Sequence, residues 1–150
     1  MPKYHKGFYT IKNKEKYIGK RAPIYRSGWE ATFMQFCDFN PNVLQWASES
    51  IAILYQDPLT GKKKNYYPDF LVIYNDKDNI RKAEIVEIKP STQTGQTKTK
   101  SKINNAAIIR NHAKWAAALQ YAEMNGLNFR LITENELFGI KGKIWKQILN

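Results

Sequence analysis

Asp69 follows a proline in YYPDFLVIY, and Glu87 and Lys89 stand two apart in AEIVEIK. These three residues have the types and spacing for chemistry. In a β-strand, residues two apart point to one face. Glu87 and Lys89 should therefore share a face with Ala83 and Ile85, leaving Glu84, Val86 and Ile88 on the other. Charged groups ending a mostly apolar face are costly to bury unless they are paired or bind a metal. If the two segments pair as a hairpin around residues 75–79, Asp69 falls opposite a residue near 85–87. Asp69, Glu87 and Lys89 then converge on one patch.

Two carboxylates a few ångströms apart raise one another's pKa, and a divalent cation removes that conflict. Mg²⁺ is typically held by one or two carboxylates, with water and phosphate oxygens completing its octahedron. Mn²⁺ is the natural substitute. Asp69 and Glu87 are the expected ligands, and the carbonyl of Ile88 is a further candidate. Such an ion acidifies water and acts as a Lewis acid on phosphate. Lys89 would orient the water or stabilise charge developing on the phosphorus. The competing reading is an ordinary ion pair across two antiparallel strands.

The surrounding elements must deliver these residues. Ser27 and Glu30 form the S-x-x-E signature of a helix start, and Trp29, Phe33, Phe36 and Cys37 continue at helical spacing until Asn40-Pro41. Three meandering strands are predicted next: SIAILYQ (Ser50 to Gln56), YYPDFLVIY (Tyr66 to Tyr74) and IRKAEIVEIK (Ile80 to Lys89), with polar turns between them. A long helix is predicted over 103–125. Ile109, Ala113, Ala116 and Gln120 share one stripe, Ile108, His112, Trp115 and Leu119 form another, and Asn125-Gly126 closes the helix. FRLIT (Phe129 to Thr133) is a fourth strand. A last, partly helical stretch, 134–149, should pack Phe138, Ile144, Trp145 and Ile148 inward. This order is an α+β or α/β sandwich around a mixed sheet in a single domain, 1–150, with residues 1–27 as a basic N-terminal arm ordered in part by Phe8, Tyr9 and Tyr17.

The chain carries 24 basic and 13 acidic residues, a net charge of +11. Residues 1–28 hold eight Lys/Arg and one acid, whereas residues 29–60 hold four acids and no base. Such asymmetry points to a polyanionic partner, DNA above all. In the apolar-free tract PSTQTGQTKTK, the lysines Lys98 and Lys100, with Lys102 just beyond, are candidate contacts to its backbone. One cysteine, Cys37, excludes an internal disulfide, and with two histidines it leaves too few residues for the usual Cys/His zinc clusters. These features predict a reducing, cytoplasmic setting without signal peptide or membrane span. Structural roles are expected for Cys37 in the core, for His112 on its helix and for Glu84. Glu49 reads as a strand-entry acid or a substitute ligand.

PDF at 68–70 followed by Glu87-Ile88-Lys89 resembles the PD-(D/E)XK nuclease superfamily, and the order helix, three strands, helix, strand matches its core. The stretches NVLQWASESIAILYQDPLTGKKKNYYPDFLV and KWAAALQYAEMNGLNFRLITENEL resemble a narrower group. That group holds the endonuclease subunit of heteromeric transposases and the head completion nuclease of tailed bacteriophages. Size and the basic arm favour the phage branch. The resemblance implies a restriction-endonuclease-like fold and Mg²⁺-dependent DNA cleavage. Asp69 and Glu87 would be metal ligands, Lys89 the catalytic lysine and Glu30 an auxiliary acid. It further implies action on packaged DNA ends, with portal or neck proteins as partners, in the host cytoplasm during virion assembly. A non-catalytic DNA-binding plug, a transposase-type end-cleaving subunit and an RNA-binding basic domain are the rival readings.

Overall fold

The computed structural model describes residues 6–94 and 102–138, with backbone alone at 102–104 and 138. Lys98 and Lys100 lie outside the described residues, as do the side chains of Lys102 and Phe138 and all of Ile144, Trp145 and Ile148.

Two short strands, β1 (Gly7–Phe8) and β2 (Ile24–Tyr25), pair antiparallel ahead of the first helix, α1 (Gly28–Phe39). Asp38 ties this N-terminal segment down. Its buried carboxylate accepts from the Tyr9 hydroxyl at 2.8 Å and from the backbone N–H groups of Lys12 (2.8 Å) and Asn13 (2.9 Å). Tyr9 and Tyr17 meet Trp46 edge-on, at centroid distances of 6.1 and 4.7 Å, whereas Phe8 is exposed. The α1 helix starts where its cap predicts: the backbone N–H of Glu30 donates to Ser27 Oγ at 3.2 Å.

The strands that follow are β3 (Val43–Ser48), β4 (Ile53–Gln56), β5 (Lys63–Tyr66), β6 (Phe70–Asn75) and β7 (Arg81–Ile88). The long helix α2 (Lys102–Met124), the strand β8 (Asn128–Ile132) and the short helix α3 (Glu134–Phe138) complete the order. The central sheet runs β3-β6-β7-β8. Its first three strands are antiparallel, and β8 lies parallel to β7, as the long crossover through α2 requires. One face packs against α1 through Phe33, Met34, Cys37, Trp46, Phe70, Val72 and Val86. The other packs against α2 through Ile85, Trp115, Ala118 and Ala122, joined by Ile53, Tyr55 and Tyr66. This is a mixed α+β fold, the arrangement that the resemblance to restriction-endonuclease-like proteins implies. Among the described residues, no helix is long and apolar enough to cross a membrane.

Three expectations about the elements need correction. The first strand of the central meander is VLQWAS, not SIAILYQ. SIAILYQ contributes only Ile53–Gln56, which pairs with Lys63–Tyr66 in a separate hairpin against α2. The predicted strand 66–74 is two strands, because Pro68 has no N–H to give a ladder and the chain changes partner there. The buried stripe of α2 is Asn111, Trp115, Ala118 and Ala122, while Ile109 and Leu119 are 45% and 55% exposed. Small alanines let the helix sit close to the sheet, so the larger aliphatics are turned outward. Its C-terminus does close as expected: Gly126 has φ +68, and the Leu127 N–H returns to the carbonyl of Ala122 at 2.8 Å.

Candidate active site

Ladder pairing between β6 and β7 ends at Phe70 opposite Val86. One step further, Asp69 meets Glu87, and their side chains take over from the backbone. The N–H of Asp69 donates to Glu87 Oε1 at 3.2 Å, and the N–H of Ile88 donates to Asp69 Oδ2 at 2.8 Å. Each carboxylate thus satisfies a donor that the end of the ladder would orphan. The Asp69 carbonyl in turn accepts from the Glu49 N–H at 3.0 Å, which fixes Asp69 to the end of β3.

Glu87 is buried, while Asp69 keeps one edge open to solvent. Enclosure by protein, the charge of Glu87 and the charge of Glu30 all push the Asp69 carboxyl well above the usual carboxylate range. Glu30 reaches this group from the first turn of α1. Its carboxylate accepts from the Ser27 hydroxyl at 3.3 Å and from the Arg26 N–H at 3.4 Å. It is therefore both a cap partner and a third negative charge near the pair. Burial raises its pKa, and Glu49 and Glu87 raise it further against the effect of those hydrogen bonds.

Lys89 continues past β7, with its N–H on the carbonyl of Ile132 at 3.0 Å. It makes no ion pair among the described residues. The simple cross-strand ion-pair reading is therefore absent there. Glu49, at φ +48, is held bidentately by Arg26, with Nε to Oε1 at 2.8 Å and Nη2 to Oε2 at 3.2 Å. Its carboxylate therefore has a cationic partner, unlike those of Asp69 and Glu87 among the described residues.

The donor chemistry suits a hard divalent cation. Two carboxylates stand together with excess negative charge nearby and no cationic side chain paired to either of them among the described residues. No group of three or more His, Cys, Asp or Glu converges as a metal cage among those residues, so an ion would rest on Asp69 and Glu87. Mg²⁺ commonly binds through so few protein ligands. The Ile88 main chain lies beside Asp69 through its N–H.

Residues expected to be structural occupy structural positions. Glu84 points away from Glu87 and accepts from the Tyr74 hydroxyl at 2.6 Å and from both Nε and Nη2 of Arg130, at 2.7 and 2.9 Å. His112 contacts the Thr94 carbonyl through Nε2 at 2.8 Å, and Cys37 is fully buried. Asn111 donates to the Gln93 carbonyl at 3.2 Å, and Glu134 accepts from the Ser91 N–H at 2.9 Å. The chain leaving the site after Lys89 is thus pinned on both sides up to Thr94.

Sequence reasoning gave no place at the site to Tyr66, on β5, or to Lys114 and Trp115, on α2, which lie on the α2 side of the site toward Glu87. The burial of Tyr66 and its nearness to Glu87 and Asp69 push the phenol strongly upward. A signal was present in the sequence, since Tyr66 lies three residues before Asp69 and Lys114 adjoins a core tryptophan. A groove of about 550 Å³ lies elsewhere, between Phe8, Tyr9, Tyr25 and the outer face of α1, and includes none of the carboxylates.

Residues 40–134 match the family described as TnsA-like endonuclease N terminal. The chain is also 34% identical to the head completion nuclease of Enterobacteria phage T4, over 92% of this chain and 98% of that protein.

Proposed function

The chain belongs to the TnsA-like endonuclease family, and we propose that it is a Mg²⁺-dependent DNA endonuclease of the PD-(D/E)XK type. The observation that carries this reading is the reciprocal contact of Asp69 and Glu87 at the end of β6 and β7, with Lys89 two residues past Glu87 and in no ion pair among the described residues. Asp69 and Glu87 would hold the ion, Mg²⁺ or Mn²⁺ in its place, with the Ile88 carbonyl as a further ligand. When bound, such an ion supplies Lewis acidity toward a phosphate oxygen and acidifies water.

The side chains do the rest. Glu87, enclosed on β7, and Asp69, tied to β3 and β7, are held rigidly, so little reorganisation is needed when substrate arrives. Lys89 donates to the attacking water or to a non-bridging phosphate oxygen as negative charge grows there. Glu30 acts as an auxiliary acid, adding negative potential that favours cation binding. Lys98, Lys100 and Lys102 would contact the DNA backbone, as their charge and place in the sequence suggest.

Near full-length similarity to the T4 head completion nuclease favours the phage role over that of a transposase subunit. In that role the protein acts on packaged DNA ends at the portal vertex before tail joining, within the host cell. Supercoiled plasmid incubated with the protein in Mg²⁺ should be nicked or linearised, and EDTA should abolish this. Cutting in EDTA would overturn metal dependence. Binding without cutting under any divalent cation would favour a non-catalytic plug.

A further inference from the structure

Lys114 lies on α2 with its Nζ 5.8 Å from the ring centroids of both Tyr55 and Tyr66. It makes no ion pair among the described residues and is neither buried nor fully exposed. A lysine held over two aromatic faces has lost part of its hydration without gaining a direct ion pair among the described residues. Its surroundings add positive charge. Arg110 is one helical turn away on the same face of α2. Lys64 is the cross-strand neighbour of Tyr55 on the hairpin. Lys64 and Arg110 share the single buried carboxylate of Asp57, at 3.2 and 3.1 Å. Two cations on one carboxylate leave that end of the face net positive. At the other end stands Lys89, beyond Glu87.

The floor under Lys114 points the same way. The Tyr66 hydroxyl and the Trp115 indole N–H are buried beneath it, close to one another and, for the hydroxyl, close to Glu87. Tyr66 is 95% buried and lies beside Glu87. Burial and the nearby Lys89, Arg110 and Lys64 lower the affinity of Lys114 for its proton, and Glu87 offsets them in part.

We propose that Lys114 binds a backbone phosphate of the cleaved DNA strand, and that Arg110 and Lys64 continue this basic track along α2 and the β4–β5 hairpin. This rests on the nuclease reading and assigns its substrate a path. The strand would cross the site from Lys89 over Lys114 toward the hairpin.

The test measures binding apart from cutting. Affinity of the full chain for a labelled 20-base-pair duplex is followed against NaCl concentration in EDTA. Wild type, Lys114→Met, Lys114→Arg and Lys77→Met are compared. Lys77 lies in the turn at the far end of β6 and serves as the control for net charge. Lys114→Met should flatten the log–log salt slope by about 0.9, the value for one lost phosphate contact on duplex DNA. Lys114→Arg keeps the charge and should keep the slope, which separates a lost contact from a damaged fold. Lys77→Met should leave the slope unchanged. A Lys114→Met slope equal to wild type, or an equal loss in Lys77→Met, would overturn the proposal. Failure of the wild type to cut in Mg²⁺ would sink the nuclease reading alone and leave the slope comparison intact.

Discussion

The N–H of Asp69 donates to the Glu87 carboxylate at 3.2 Å, so two acidic side chains on neighbouring strands are held together by the end of a β-ladder. The arrangement is electrostatically unfavourable by itself. Glu30 and the enclosing protein add to the cost, and all of it appears as an elevated Asp69 proton affinity. A site that concentrates unneutralised charge in this way is stabilised by what it binds.

Asp69→Asn should therefore stabilise the metal-free protein. Asparagine keeps an oxygen for the Ile88 N–H and removes one of the clustered charges. A rise of about 3 °C in Tm is expected in EDTA, equivalent to roughly 1 kcal/mol for a chain of this length. Added Mg²⁺ should raise the wild-type Tm and leave the variant almost unmoved. A variant less stable than wild type in EDTA would show that the two carboxylates do not repel.

Glu84 should matter for folding and not for cutting. It is buried on the opposite face of β7, held by Tyr74 and a bidentate Arg130. Glu84→Ala removes the carboxylate that Tyr74 and Arg130 share and should cost roughly 3 kcal/mol in urea unfolding. Activity per folded molecule should stay at the wild-type level. A loss below about 1 kcal/mol would mean that solvent already screens this pair.

Asp57 should give an acid-side signature. The Leu59 N–H, aided by Lys64 and Arg110, holds its carboxyl down to about 2. The unfolded value is near 3.9, so the native state favours the ionised form. The stabilisation is fully present above the unfolded value and is lost as pH falls through the native one. The Tm gap between wild type and Asp57→Asn should be constant above about pH 5 and close between pH 4 and 2. A gap unchanged at pH 2 would refute this role.

The carboxylate pair was legible because it depends on local rules. Alternation along AEIVEIK separates Glu84 from Glu87, and a hairpin at 75–79 sets Asp69 against Glu87. The α1 cap at Ser27 and the α2 end at Gly126 are equally local. What was not legible depends on distant pairing. VLQWAS has a register shift between Val43 and Gln45, which breaks the alternation that marks a strand. Its place beside β6 becomes visible only after the 53–66 hairpin is folded aside. The Arg130 partner of Glu84 and the Asp38 anchor of the N-terminal segment join residues 46 and 25 to 29 positions apart. No periodicity announces such contacts. Tyr66 and Lys114 escaped notice for the same reason, since only the packing of α2 on the hairpin brings them beside Glu87.

Lys89→Ala probes whether Asp69, Glu87 and Lys89 form a phosphodiester-cleaving site. Cleavage of a labelled duplex in Mg²⁺ is timed under single-turnover conditions, with DNA affinity measured on the same preparations. Cutting should slow by at least about a hundredfold, the usual effect of removing one group that stabilises developing charge. DNA affinity should stay near the wild-type value. Cutting by Lys89→Ala at the wild-type rate would contradict the account.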